Sequence, residues 1–368
     1  MKTFAAAIAL AVALPAMPLA AQAPAETPAT PDWVETSNAY TQKLIEFEAT
    51  IFPTGASFAG YEQYDGLVND MALDRDDRYL AGARELRAEF AAAMASEENL
   101  YVQQDLQILI DALDRNIQGI ELSERYMLEF DEVPQSMFQT IGTLLSEQTA
   151  PNRRAKALEL LQRYTGIYPD TEPMTELAKR RFEASRGDGK IGPYVIEVRE
   201  SLPKIDTFAS GIRELFEKYE IAGAEEALDA MDDQFADYAS WTEDVVIPAS
   251  RQDPRMPEEL YALALQNWGI DADPREAMSR ARRGFYEIRA QMEALAPQIA
   301  AENGWEETGY RSVMAKLKER TIPNDEIEEY YRNVNAQLEA KIREHDIVSL
   351  PDYELSMRVA SAAESAAQ

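Results

Sequence analysis

Cysteine is absent from this 368-residue chain and histidine occurs once, as His345. The first absence excludes disulfides, thiol nucleophiles, thiolate metal sites and cysteine lipidation. The second excludes every zinc motif built on two histidines. Positive charge is also scarce: 36 Lys and Arg stand against 66 Asp and Glu, giving a net charge of −30 and a pI near 4.4. Phosphate neutralisation needs a basic face, so the balance argues against a nucleic-acid partner. Glycine (16) and proline (19) together number 35, below ordinary usage. With 46% hydrophobic and 28% charged residues, the chain can nevertheless build a sizeable core. Its length allows about two domains, or one elongated helical domain.

One long apolar run exists, from Phe4 to Leu14, preceded by Lys2 and followed by Pro15, Pro18 and the small-residue triplet Ala21, Gln22, Ala23. This is the pattern of a secretory signal peptide over residues 1–23, with cleavage expected after Ala23. The run is about half the roughly 20 residues of a membrane span, and no other stretch comes close. A Pro, Ala and Thr linker over 24–31 separates it from the rest. The expected address is the periplasm or the exterior, with no membrane span and no lipid anchor, and with stability drawn from packing because no disulfide is available.

The remainder reads as helix. Leu106, Leu109, Ile110, Leu113, Ile117 and Ile120 recur at the spacing of one buried helix face. Similar patterns cover 32–51, 74–97, 134–147, 152–166, 174–186, 205–220, 224–246, 257–268, 274–296, 309–319 and 324–345. Asp273, Pro274 and Glu276 form a helix start close to a capping box. Acids also open the first turns after Pro257 and Pro323. No segment alternates with period two and no repeat of fixed length is visible. The expectation is an all-α protein of about eleven or twelve helices over residues 32–368, with an internal break near 187–193 and a weaker one from Pro248 to Pro257.

Single motifs offer little chemistry. Gly187, Gly189 and Gly192 spell G-x-G-x-x-G, but a dinucleotide site needs a strand before it and a helix after it. Here a helix precedes and Pro193 follows, so a helix-to-helix loop is expected. Ser201 and Lys204 match S-x-x-K without the companion motifs that chemistry requires in the mature chain. Asp229, Asp232, Asp233 and Asp237 share one helix side and could hold a hard cation, although a solvated face is the simpler reading. His345 suits the last turn of a helix, where cations are favoured. The aromatics Tyr261, Trp268, Phe285, Tyr286, Tyr330 and Tyr331 read most simply as core and groove residues, with a peptide-binding cleft as the functional alternative.

Three stretches together go further. Phe52, Pro53, Thr54, Gly55, Ala56, Ser57 and Phe58 to Tyr64, Asp65 and Gly66 form the first; Pro257 to Tyr261 with Trp268, Gly269 and Ile270 the second; Ile342 to Pro351 the third. In this order they resemble the N-terminal part of the bacterial domain of unknown function 885 family. The resemblance implies kinship with exported zinc metallopeptidases, in which a long helical body is followed by an H-E-x-x-P-G-H type helix. There two histidines would hold Zn²⁺ and a glutamate would deprotonate its water. Ending at Gln368 with one histidine, this chain is expected to lack that helix, to carry no catalytic, cofactor-binding or metal residue, and to be inactive alone; zinc is expected only in full-length relatives. The leading expectation is a truncated, non-catalytic half of such a protein, whose partners are peptides or the missing C-terminal half. It should expose more apolar surface than a monomer normally tolerates. The alternative is a self-sufficient exported module that binds peptides or cations.

Overall fold

The computed structural model describes residues 31–368 apart from Glu354 and Ser356. The expected leader, its cleavage point and the linker as far as Thr30 lie outside the described residues. Among the described residues there is no strand, only two isolated parallel bridges, Met127 to Ile191 and Tyr194 to Arg251. Twelve helices run nine residues or longer. The protein is all-α, close to the expected count. The chain divides into two compact units: residues 31–263 joined by Ser361–Gln368, and Ala264–Ala360.

The first unit opens with α1 (Asp32–Ala49), α2 (Arg75–Ser96) and α3 (Leu100–Tyr126). A three-residue connection between α2 and α3 forces them to pack as neighbours. Asn99 caps α3 by accepting from the backbone N–H groups of Tyr101 and Val102. The face anticipated in α3 is the buried one: Leu106, Leu109, Ile110 and Leu113 are buried, and Ile117 and Ile120 lie half-buried at its edge. They meet Leu44 of α1 and Tyr79, Ala83 and Phe90 of α2.

A larger core is built by α4 (Val133–Leu144), α5 (Lys156–Tyr164), α6 (Met174–Ala184), α7 (Ile205–Lys218) and α8 (Glu225–Trp241). Met137, Ile141, Leu161, Ile212 and Met231 are fully buried in it, and Phe138 stacks on Phe208 with ring centroids 5.6 Å apart. Glu225–Trp241 runs directly into a π-helical turn, Thr242–Val246, so the expected continuous helix to 246 changes its winding after Trp241. The segment 187–193 lies inside this unit, where the Ile191 N–H donates to the Tyr126 carbonyl (2.8 Å) and Leu128 N–H to that of Ile191 (2.9 Å).

The end of the chain closes this core. A short helix, Ala362–Ala366, starts with a full capping box between Ser361 and Glu364 and buries Ala363. Lys204 Nζ donates to the Ala366 carbonyl (2.9 Å) and Gln135 Nε2 to that of Ala367 (3.1 Å). Gly211 makes the contact feasible, since a Cβ there would overlap that of Ala363 and approach the Phe138 ring to 2.9 Å.

Helix α9 (Glu258–Asn267) leads into the second unit, which contains α10 (Pro274–Asn303), α11 (Tyr310–Lys318) and α12 (Ile327–His345). The expected cap holds: Asp273 accepts from the Arg275 and Glu276 N–H groups at 2.8 and 3.3 Å. Helix α10 runs past its expected end at 296, straight through Pro297. An interior proline costs about 3 kcal/mol; packing of Ala296 and Ala300 on Val313 of α11 sits on the other side of the balance. Those three are the buried apolar residues of this unit's core. Nothing in 274–295 is buried, and neither is any residue of α12.

Candidate functional site

The densest charge chemistry is a buried cluster around Arg181. It sits in α6 at a position where helical spacing puts core residues, between Ala178 and Phe182, both buried. Its side chain is 2% exposed. One Nη donates to the Ala72 carbonyl (2.7 Å), the other to Asp76 Oδ2 (2.9 Å) and to Glu129. Arg75 Nε donates to the other Asp76 oxygen at 2.8 Å. Asp131 feels both guanidinium groups, so three carboxyls face two cations. Burial raises the Asp131 and Glu129 carboxyls above their usual range despite these cations. For Asp76 burial also pushes upward, but the Arg75 and Arg181 contacts together overcome it and hold the carboxyl low. The carbonyl of Asp131 accepts from the buried Tyr238 hydroxyl at 2.6 Å.

A further carboxyl, the half-buried Glu48 of α1, accepts hydrogen bonds from Tyr79 and Asn116 and is likewise raised, by desolvation. Glu132 is raised chiefly by burial beside Ser201. A carboxyl raised in the fold binds its proton more tightly there than in the unfolded chain, so Glu48, Glu129, Asp131 and Glu132 stabilise at low pH and lose that contribution as pH rises through the folded value. Asp76 and Glu159, the latter lowered by Lys156 and Arg163 against its own burial, act oppositely and lose theirs as pH falls. Self-repulsion of the acidic chain adds to the first group. Urea midpoints should therefore rise from pH 7 to a maximum near about pH 5 and fall again below about pH 4; a maximum at pH 7 or above would contradict the assignment.

The residues singled out from sequence are not brought together. The three glycines form a loop between α6 and the short helix Val195–Ser201, with no strand before them. Ser201 Oγ donates to the Val198 carbonyl (3.0 Å), while Lys204 holds the chain terminus. Of the acidic stripe on α8, Asp229 and Asp232 pair with Arg213 (2.9 and 2.5 Å) and Asp237 with Lys179. His345 is exposed in the last turn of α12. The six aromatics are not core residues: Tyr261, Trp268, Phe285, Tyr286, Tyr330 and Tyr331 are all exposed, Trp268 by 81%. Five of them belong to 264–360, and four of these lie on α10 and α12, where Ala296 and Ala300 are the buried residues; a well-formed apolar face is not by itself a buried one.

The first of the stretches behind the family resemblance is a structural latch. Ser57 Oγ donates to Asp65 Oδ1 at 2.5 Å. Arg153 donates to both carboxylate oxygens of Asp65, at 2.7 and 2.8 Å, and also to the Ser57 carbonyl at 2.8 Å. A bidentate pair of this kind needs arginine rather than lysine. The latch ties the loop after Phe58 to the turn before α5.

Residues 53–368 match a family described as bacterial protein of unknown function, DUF885. The chain belongs to the DUF885 family. No curated protein and no solved structure matches it. The DUF885 match takes in the latch, the Arg181 cluster and the whole of 264–360. The zinc that the metallopeptidase resemblance implies does not fit this DUF885 chain as described: it offers one imidazole and no thiolate, and among the described residues no group of three or more His, Asp or Glu is placed to hold a metal ion. No helix among them is long and apolar enough to cross a membrane.

Proposed function

We propose that this DUF885 chain is the helical, non-catalytic body of an exported, zinc-metallopeptidase-like protein, and that its α10 and α12 faces are built to be covered by further polypeptide. One observation carries the reading. Large apolar side chains on these helices, among them Met278, Phe285, Ile288, Leu295, Tyr331 and Leu338, are each at least 48% exposed. Soluble monomers rarely leave contiguous apolar faces in water unless something binds them. The N-terminal leader pattern supports export, and the family resemblance supports the metallopeptidase context, in which this body would form one wall of a substrate cleft. A self-sufficient binding module is the second reading, favoured by the closed cores of 31–263.

Hydrogen exchange on the isolated full chain separates the two. The proposal expects amides of 274–295 and 327–345 to exchange at least about a hundredfold faster than those of α3, because no tertiary burial protects them, together with strong binding of a hydrophobic dye. Protection in those helices equal to that of α3 would sink it.

A further inference from the structure

Helix α10 carries more information than exposed apolar surface. Met278, Ala281, Phe285, Ile288, Met292 and Leu295 are spaced 3, 4, 3, 4 and 3 residues apart, which is the seam of a coiled coil rather than the broader stripe of a helix resting on a globular core. None of the six is buried, and four of them are more than half exposed. Along one edge of this seam, in the register of an e position, stand Arg275, Arg282 and Arg289, seven residues apart. The other edge holds Ala277, Gly284 and Gln291 and no charge. In a chain of net charge −30, three arginines thus stand on one side of the seam. Charges at e and g positions select partner and orientation.

We propose that residues 274–295 of α10 take a partner helix in coiled-coil packing, and that this partner carries an apolar seam edged by carboxylates facing Arg275, Arg282 and Arg289. The proposal rests on the docking reading above and names the chemistry of its occupant. The α10 of a second copy supplies no matching edge, since it would set against these arginines either the same three arginines or the uncharged Ala277, Gly284 and Gln291. A lipid surface fits less well, because a helix lying on anionic headgroups has cations flanking both sides of its apolar face. The intrahelical pair between Arg289 and Glu293, at 2.9 Å and solvent-exposed, is weak enough to be exchanged for an interhelical one.

The probes are two synthetic three-heptad helices with the same leucine and isoleucine seam, one edged with glutamate and the other with lysine. Each is titrated into the full chain and followed by fluorescence anisotropy. The glutamate helix should bind roughly tenfold more tightly at low salt, and the preference should shrink as salt screens it. Reversing the ladder in the double variant Arg282→Glu/Arg289→Glu should invert the preference while leaving the circular dichroism spectrum unchanged. Equal affinity for both helices would overturn the acidic partner and leave the docking reading standing. If neither helix binds, the docking reading falls as well. Capture by phosphatidylethanolamine vesicles containing phosphatidylglycerol but by neither helix would assign the face to a membrane. A dimer in light scattering that Phe285→Ser abolishes would assign it to a second copy. Both outcomes overturn the proposal.

Discussion

Replacing Arg181 by methionine should lower the stability of residues 31–263 by about 3–5 kcal/mol, read as a shift of the urea midpoint at unchanged slope. The arginine is almost wholly buried and holds Asp76, Glu129 and the Ala72 carbonyl at once. Removing it leaves two carboxylates facing Asp131 with only Arg75 beside them. The loss is therefore that of uncompensated buried charge, much larger than the median surface ion pair at about 0–1 kcal/mol. Two controls isolate this cause. Adding Asp76→Asn and Glu129→Gln to the methionine variant should recover a substantial part of the loss, because the orphaned charge goes with them. Arg181→Lys should fall in between, since a single ammonium cannot reproduce the forked contact. A loss below about 1 kcal/mol for Arg181→Met would refute the cluster as a structural centre.

Gly192→Ala should be nearly as damaging, about 3 kcal/mol or more, while Gly187→Ala in the same loop should be close to neutral. A Cβ on Gly192 would land on the Ala249 carbonyl oxygen, 2.9 Å from its carbon and 3.0 Å from Ser250 Cα, all of it backbone. The strand-like bridge from Tyr194 to Arg251 would have to open to make room, with its hydrogen bonds from Val195 N–H to the Arg251 carbonyl and from Arg251 N–H to that of Pro193, each 3.0 Å. At Gly187 the nearest atoms are the flexible Lys190 side chain at 3.7 Å. Denaturant titrations of the two variants side by side decide it; equal effects would mean the close approach at Gly192 relaxes freely. The glycine pattern that resembles a nucleotide loop thus owes its last member to backbone crowding against Ala249.

The helices were legible because their cause is local. Apolar periodicity and caps such as Asp273 are written within a few residues of each other, and the structure follows them to within a few positions at most ends. The extension of α10 past 296 was hidden because it depends on Val313, a neighbour that no local pattern announces. For the same reason periodicity does not separate core from exposed aromatics: Phe285 and Tyr331 lie on well-formed apolar faces, and the pattern tells that a face exists without telling what lies against it. The Arg181 cluster left one signal in the chain, a cation at a core position of α6, but its partners come from residues 72–76 and 129–131, whose approach is purely tertiary.

Both ends of 264–360 are fastened to the same body, one through α9 and the other through the capped helix that seats Ala363. The stretch is thereby a closed loop rather than a free tail, and closure grows costlier only slowly with length, by about 0.6 kcal/mol per doubling. Its unbound ensemble is correspondingly narrower than that of a dangling arm. On the docking proposal, an incoming helix would have fewer conformations to freeze out, so a larger share of each contact it made would survive as affinity.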